Sequence, residues 1–266
     1  MVEPIKVVIA GFGRLGGDLA RGLIQSPEIE LVGVARRSAA ESSGTIDVGG
    51  QRVPVSGHLA ALLDRAQPQV LLEASLPGAA VENCRAAVER GVAPVIATSG
   101  VSDGAVEEIR QACAQRGLGG VLAPNLSLGA VLLIHLCGIA GRYFDHADII
   151  EMHRDKKRDA PSGTALHTAR VMADARNGPF TRAVTEKYTL DDVRGGEVDG
   201  IGVHSIRLPG LVAHQQVIFG GLGQTLTLRH DTSSNESYVP GALMAIKHAA
   251  NSDQFVVGLA ALLGLE

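Results

Sequence analysis

Tryptophan is absent from this chain, and aromatic residues make up 3% of its 266 residues. A core built from it is therefore aliphatic and rich in alanine. Cysteine is sparse: Cys84, Cys113 and Cys137 are scattered, with no CxxC spacing. That count excludes a disulfide framework and a thiolate zinc site, and it suits a reducing cytoplasm. Each cysteine reads as a small hydrophobe on a helix face. Nine histidines are present, but none forms HExxH or a paired spacing with Cys or Asp, so no metal is expected. His204, His214 and His230 fall on expected strands and could cluster in space, although isolated strand histidines are more often hydrogen-bonded structural residues. No GxSxG nucleophile elbow occurs. No apolar run is long enough to span a bilayer, and the first residues lack a signal-peptide pattern. A cytoplasmic protein without a membrane partner is expected. The net charge of −4 argues against a nucleic-acid partner.

What is present points to an α/β enzyme. Hydrophobic residues make up 45% and charged residues 20%, enough for a sizeable core. The run Ile5 to Ala10 is short and, after Lys6, unbroken, as a buried parallel strand should be. Gly11-Phe12-Gly13-Arg14-Leu15-Gly16 follows at once, then a helical stretch with Leu19 and Leu23. A lone GxGxxG is weak, but between a first strand and a first helix it becomes a dinucleotide fingerprint. Gly11 permits the tight turn, Gly13 admits the pyrophosphate, and Gly16 lets helix and strand pack closely.

Leu31 to Ala35 reads as the second strand. An NAD site usually has Asp or Glu at its end to hold the ribose 2′-hydroxyl. Here Arg36-Arg37-Ser38 follows. Two guanidiniums suit a 2′-phosphate, so NADPH is the expected cofactor, with NADH possible. The bland alternative is a pair of solvated loop arginines.

Thr45 to Val55 reads as a small hairpin around Gly49-Gly50. Apolar runs at Val70–Ala74, Pro94–Thr98 and Val121–Ala123 alternate with helical stretches at Leu59–Arg65, at about Gly78–Arg90, and from Ser102 or Asp103 to Arg116. That alternation implies a Rossmann-type, doubly wound parallel sheet, with ligands beyond the strands' carboxyl ends. A strongly apolar helix at Leu128–Ile139 then joins a second α+β domain. There Ala147–Met152 is a strand, and a helix ends at the C-cap signal Asn177-Gly178-Pro179. Ile201–Leu208, Val212–Phe219 and Gln224–His230 read as strands with short turns between them, which favour antiparallel pairing. Ser237–Ala249 and Phe255–Leu263 read as helices.

The most informative stretch is Glu151 to Ala165, EMHRDKKRDAPSGTA. Four of the six residues from Arg154 to Asp159 are cationic, and His153 precedes them. Pro161 prevents a helix from running through. Ser162 is a good N-cap, so the first unpaired N–H groups come at Gly163 and Thr164. Such a helix start binds anions, and the upstream cations add charge. On local chemistry alone, a solvated charged loop before an ordinary helix start fits equally well.

This string closely resembles the signature of the 4-hydroxy-tetrahydrodipicolinate (dihydrodipicolinate) reductases of lysine biosynthesis. There a Glu, a variable residue, two histidines and a basic run ending in Lys precede the same Asp-Ala-Pro-Ser-Gly-Thr-Ala. The sequence departs at two places. Arg154 stands where the family has its second histidine, and the glycine loop is one residue shorter. The resemblance continues through Thr98-Ser99-Gly100 and Ala123-Pro124-Asn125-Leu126, which in the family line the nicotinamide nucleotide. It extends to His204–Gly221 and Gly223–Asp231, similar to the family's second-domain sheet.

The resemblance implies a dinucleotide domain at 1–126, a substrate-binding and oligomerisation domain at 127–236, and C-terminal helices at 237–266 packing back on the first. It implies a cyclic dicarboxylate imine as substrate, a homotetramer, and hydride transfer from nicotinamide C4 across the interdomain cleft. His153 carries over as general acid and Lys157 as its partner. Arg154, Ser162, Gly163 and Thr164 carry over as substrate contacts. Arg154 can still pair a carboxylate but cannot titrate as an imidazole does. Arg229 and His230 either reach the pocket or are a solvated strand end. The competing functions are a reductase of another cyclic imine or keto acid, and a non-catalytic NADP-binding protein.

Overall fold

The computed structural model describes residues 3–38, 44–176 and 178–265. They form two compact units: Met1–Leu128 with Asn235–Glu266, and Gly129–Ser234. The sequence-based boundaries fell after residues 126 and 236.

In the first unit, β1 (Ile5–Ala10) carries Val7, Val8 and Ile9 with no solvent exposure. A strand covered on both faces needs no alternation of polar and apolar residues. It leads into α1 (Arg14–Leu23), whose Leu19, Ala20 and Leu23 are buried. Next come β2 (Ile29–Ala35), the hairpin β3 (Gly44–Val48) and β4 (Gln51–Ser56), and α2 (Leu59–Ala66). Two βα units follow: β5 (Val70–Glu73) with α3 (Pro77–Val88), and β6 (Ala93–Ile96) with α4 (Asp103–Gln115). Pro77 opens α3, where its missing N–H costs nothing. Ser102 caps α4 by accepting from the Ala105 N–H. β7 (Gly120–Leu122) completes this part.

The second unit begins with α5 (Leu128–Gly141) and continues through β8 (His146–His153), α6 (Gly163–Arg176) and β9 (Gly196–Val198). It ends with β10 (Ile201–Arg207), β11 (Ala213–Gly221) and β12 (Gln224–Thr232). The chain then returns to the first unit through a 3-10 turn (Asn235–Tyr238), α7 (Val239–Asn251), β13 (Phe255–Val257) and α8 (Leu259–Leu262).

The first sheet has the order β13-β7-β6-β5-β1-β2-β4-β3 and is parallel except for the β3–β4 hairpin. All its βα loops therefore leave from one edge, and β1 lies at the centre, where the strand order reverses. The second sheet has the order β12-β11-β8-β10-β9. β8 pairs β10 in parallel and β11 antiparallel. Leu133, Cys137 and Ala140 of α5 and Ala165, Ala169 and Met172 of α6 cover one face, against Ile149, Val203, Val217 and Phe219. Small alanines let the helices sit close, and each fully buried large aliphatic contributes about 1.5–3 kcal/mol. Burial pushes the thiols of Cys113 and Cys137 up to about 11 and about 12, so they behave as inert hydrophobes. No helix among the described residues is long and apolar enough to cross a membrane.

Some readings need correction. β10 and β11 run in opposite directions but do not pair, because β8 lies between them. The Pro209-Gly210 turn therefore spans a strand rather than closing a hairpin. Phe255–Leu263 is not one helix: Phe-Val-Val adds a parallel strand beside β7, and Gly258, at φ +85°, breaks the chain before α8. β-branched residues and the glycine outweigh the apolar helical pattern. The 3.6-residue pattern after Gly163 puts Leu166, Ala169 and Ala173 on one face of α6 with Met172 beside it; Ala169, Met172 and Ala173 are buried, while Leu166 is only half-buried. Of the expected C-cap, Asn177 lies outside the described residues.

Candidate active site

The nucleotide end of the first unit is built on backbone. Gly11 has φ +91°, and a Cβ there would lie 2.5 Å from the Ala74 carbonyl oxygen. Gly13 is the N-cap of α1 and has no side chain to cap it. The N–H groups at the start of α1 therefore have no partner within the helix. A Cβ on Gly13 would meet nothing within 4 Å, whereas one on Gly16 would meet the Gly11 carbonyl. So Gly11 and Gly16 are required by the chain itself, and Gly13 faces open space. Phe12 and Leu15 are half-buried, and Arg14 is exposed at the helix start.

Arg36 and Arg37 are exposed just past β2, with Arg36 Nε donating to Ser38 Oγ at 2.6 Å. Beyond β6, Thr98 is buried, Ser99 and Gly100 are exposed, and Gly100 has φ +79°. After β7, Ala123 and Leu126 are buried. Asn125 Oδ1 accepts from the Ser127 N–H at 3.0 Å, and Pro124 is exposed. An open Gly13, free helix-start donors and two exposed guanidiniums fit a dinucleotide.

One residue here had no sequence-level role. Glu73, fully buried, accepts from the Ser75 N–H at 2.7 Å, Asn83 Nδ2 at 2.8 Å and Thr98 Oγ1 at 3.3 Å. It ties the loops after β5 and β6 together. A carboxylate closing an apolar strand was its only signal.

In the second unit, β8 brings Glu151 and His153 to one face, two residues apart. The Glu151 carboxylate is fully buried and lies 2.5 Å from His153 Nδ1. Arg207 of β10 grips it with both terminal nitrogens, at 2.7 and 3.0 Å, and Ser205 hydrogen-bonds it. Burial pushes this carboxyl up, but the bonds from His153, Arg207 and Ser205 outweigh it and hold the group at about 2. An ionised carboxylate only accepts, so Nδ1 must carry a proton. His153 Nε2 has no hydrogen-bond partner among the described residues.

The loop beyond β8 is held from both sides. Arg207 donates to the Asp159 carbonyl at 2.7 Å, and Lys157 Nζ meets the Asp159 carboxylate at 2.8 and 2.9 Å. Arg154 is half-buried. Ser162 is buried and caps α6, its Oγ accepting from the Ala165 N–H at 3.2 Å. Its hydroxyl thus serves the helix first. The next two N–H groups, of Gly163 and Thr164, have no partner within α6. A Cβ on Gly163 would meet nothing within 4 Å.

The three strand histidines separate. His204 lies 3.3 Å from Asp148 and His214 2.7 Å from Asp231. Strand register puts His230 on the opposite face from them, in a row with Gln215, Glu151 and Ser205. Desolvation lowers the His230 pKa. Arg229 is paired with Asp231. Among the described residues no cluster of His, Cys, Asp or Glu is placed to hold a metal ion.

Comparison with known proteins fits this geometry. The family models described as dihydrodipicolinate reductase, N-terminus and C-terminus, match residues 5–126 and 129–263. The 4-hydroxy-tetrahydrodipicolinate reductase of Moorella thermoacetica is 46% identical over 266 residues, covering 99% of each chain. That of Dehalococcoides mccartyi is 42% identical over 265 residues, covering 99% of this chain and 100% of the relative. The dipicolinate-bound dihydrodipicolinate reductase of Paenisporosarcina sp. TG-14 superposes with a TM-score of 0.85 at 35% identity, covering 97% and 99% of the two chains. An amine dehydrogenase from Mycobacterium smegmatis, at 14% identity and a TM-score of 0.64, shares the fold alone. With both halves matched and relatives aligned end to end, the chain belongs to the dihydrodipicolinate reductase family of NAD(P)H-dependent oxidoreductases.

Proposed function

We propose that this chain reduces 4-hydroxy-tetrahydrodipicolinate to tetrahydrodipicolinate in diaminopimelate and lysine synthesis, using NADPH in preference to NADH. A reduced nicotinamide bound in the first unit supplies the hydride. The Gly11–Gly16 loop and the loops at Thr98–Gly100 and Ala123–Leu126 hold the dinucleotide, with Arg36 and Arg37 on its 2′-phosphate. The substrate's 4-hydroxyl leaves with a neighbouring ring proton as water to give the conjugated imine, and after hydride addition His153 delivers the proton to the carbon beside the one reduced. Lys157, Arg154 and the Gly163 and Thr164 N–H groups take the substrate's carboxylates.

The observation that carries the reading is the Glu151–His153 contact of 2.5 Å. It leaves Nε2 as the open nitrogen of an imidazole beside a cationic loop and an unpaired helix start. Dipicolinate, bound by the Paenisporosarcina relative, carries two carboxylates on a six-membered nitrogen ring and needs the same donors. A homotetramer working in the cytoplasm completes the proposal. Exposed Leu222 and Leu226 on the β11–β12 hairpin support self-association, and the mass in solution by light scattering tests it.

The central test is a steady-state assay with NADPH and freshly generated 4-hydroxy-tetrahydrodipicolinate. Turnover should require that imine. Faster reduction of another cyclic imine or a keto acid, or cofactor binding without turnover, would overturn the assignment.

A further inference from the structure

Glu151 has two sets of donors on its two oxygens. His153 Nδ1 and Arg207 Nη1 share Oε2, at 2.5 and 3.0 Å, and Arg207 Nη2 holds Oε1 at 2.7 Å. The carboxylate is inaccessible to solvent, and the Arg207 side chain is 18% exposed. Polar and charged groups stand near it on several elements. β8 gives His153, and β10 gives Ser205 and Arg207. On β11, Gln215 stands in register with Glu151, and on β12 His230 stands in register with Gln215. Gln215 Nε2 donates to Thr168 Oγ1 of α6 at 2.7 Å. Arg207 also reaches the loop that carries Lys157, through the Asp159 carbonyl.

We propose that Glu151 is a positioning residue for proton delivery, fixing His153 as the Nδ1–H tautomer with Nε2 toward the substrate, and that Arg207 locks Glu151 in that task. The proposal rests on His153 being the general acid. The chemistry follows from the two faces of imidazole. A buried carboxylate accepts from Nδ1 and so fixes the ring's orientation and tautomer. Once the 4-hydroxyl has left as water and hydride has added to the conjugated imine, the Nε2–H bond breaks with its electron pair staying on nitrogen, and the resulting enamine's π pair takes the proton as the new C–H bond beside the carbon that received hydride. The imidazole is left neutral with Nδ1–H intact, ready to take a proton from solvent at Nε2. Arg207 balances the carboxylate's charge, so Glu151 does not draw the Nδ1 proton onto itself. By also gripping Asp159, Arg207 couples the orientation of His153 to the loop that carries Lys157.

Glu151→Gln discriminates this role from simple packing, because it keeps the shape. A carboxylate accepts on both sides, whereas an amide accepts on one and donates on the other. Arg207 donates to both oxygens, so the amide NH₂ opposes a donor whichever way it sits, and Nδ1 loses the ionised acceptor that fixes its tautomer.

Long-range ¹H–¹⁵N spectra of the wild-type protein should give the Nδ1–H tautomer for neutral His153. Glu151→Gln should lose that single fixed tautomer, keep its cofactor dissociation constant, and lose about 10²-fold or more in kcat. Its kcat/KM profile against pH should differ from that of the wild type. His153→Ala, run alongside, should be nearly inactive. A wild-type Nε2–H tautomer overturns the proposal. So does a Glu151→Gln enzyme with wild-type kcat and pH profile while His153→Ala is dead, and the general-acid reading then stands. Full turnover in His153→Ala removes that reading, and this proposal with it.

Discussion

A Cβ placed on Gly16 would lie 1.9 Å from the carbonyl oxygen of Gly11, while one on Gly13 would meet nothing within 4 Å. Two glycines of one loop are therefore glycine for different reasons. Gly16 is fixed by backbone packing between α1 and the turn after β1. Gly13, at φ −81°, is in a conformation that alanine adopts freely.

The two substitutions should separate. Gly16→Ala forces the turn and α1 apart and should cost about 1–3 kcal/mol of stability, the size of an overpacking change, together with dinucleotide binding. Gly13→Ala should melt as wild type does but bind NADPH more weakly. Thermal melts and a fluorescence titration read both. Wild-type NADPH affinity in Gly13→Ala would mean that the dinucleotide does not approach this residue.

What could be read from sequence was local. β1 shows as an unbroken apolar run because a parallel strand is covered on both faces. The Ser162 cap shows because a hydroxyl before Gly-Thr-Ala has only one nearby use. What could not be read was long-range pairing. Nothing in Ile201–Arg207 announces that β8 will lie between it and β11, so Arg207 gave no hint that it would reach Glu151. Glu151 itself was legible in principle, since alternation puts residues i and i+2 on one strand face. Glu73 and Thr98 are 25 residues apart and meet only because β5 and β6 are neighbours. Phe255–Val257 failed for a different reason: three apolar residues fit a helix or a strand equally, and the vacant edge of β7 decided the matter.

The buried Glu151 carboxylate should make the fold acid-sensitive. Its native pKa is about 2 against an ordinary 4.5. A depressed carboxylate contributes stability that is fully present above the unfolded value and is lost as pH falls through the native one. The window is therefore about pH 4.5 down to about 2, and the contribution at neutral pH is on the order of 3 kcal/mol. Urea melts of wild type from pH 7 to pH 3 should lose stability over the lower half of that range. Asp159 and Asp231, also lowered, act in the same direction but are more exposed. The difference from Glu151→Gln isolates Glu151: the variant should be less stable at pH 7, with the gap narrowing toward pH 3. A constant gap would mean that Glu151 does not take up its proton in this range.

Lys157 should carry part of the affinity for a dicarboxylate. Its ammonium is now held by the Asp159 carboxylate, and the pair is only partly covered. A planar pyridine dicarboxylate should inhibit competitively against the imine. Lys157→Ala should weaken that inhibitor by about 1.5–3 kcal/mol, the worth of a charged hydrogen bond. Inhibition constants at fixed NADPH measure it. An unchanged constant would place the anion site away from this loop.

Cofactor choice turns on the end of β2. Arg36 and Arg37 are exposed there, and the Arg36 guanidinium is steadied by Ser38 Oγ at 2.6 Å. No carboxylate follows Ala35 at Arg36, Arg37 or Ser38, so a ribose 2′-hydroxyl lacks its usual acceptor there. Two guanidiniums offer a 2′-phosphate charge-assisted bonds. Both facts favour NADPH, and the preference should shrink as salt rises, since exposed charges are screened over about 10 Å at 0.1 M. Arg36→Asp adds the missing acceptor and a repelling charge together, so it should move kcat/KM toward NADH by at least tenfold, about 1.4 kcal/mol. The measurement is kcat/KM for both cofactors, in wild type and variant, at two salt concentrations. A wild-type enzyme that prefers NADH, or a ratio unmoved by the substitution, would show that the 2′-phosphate is read elsewhere.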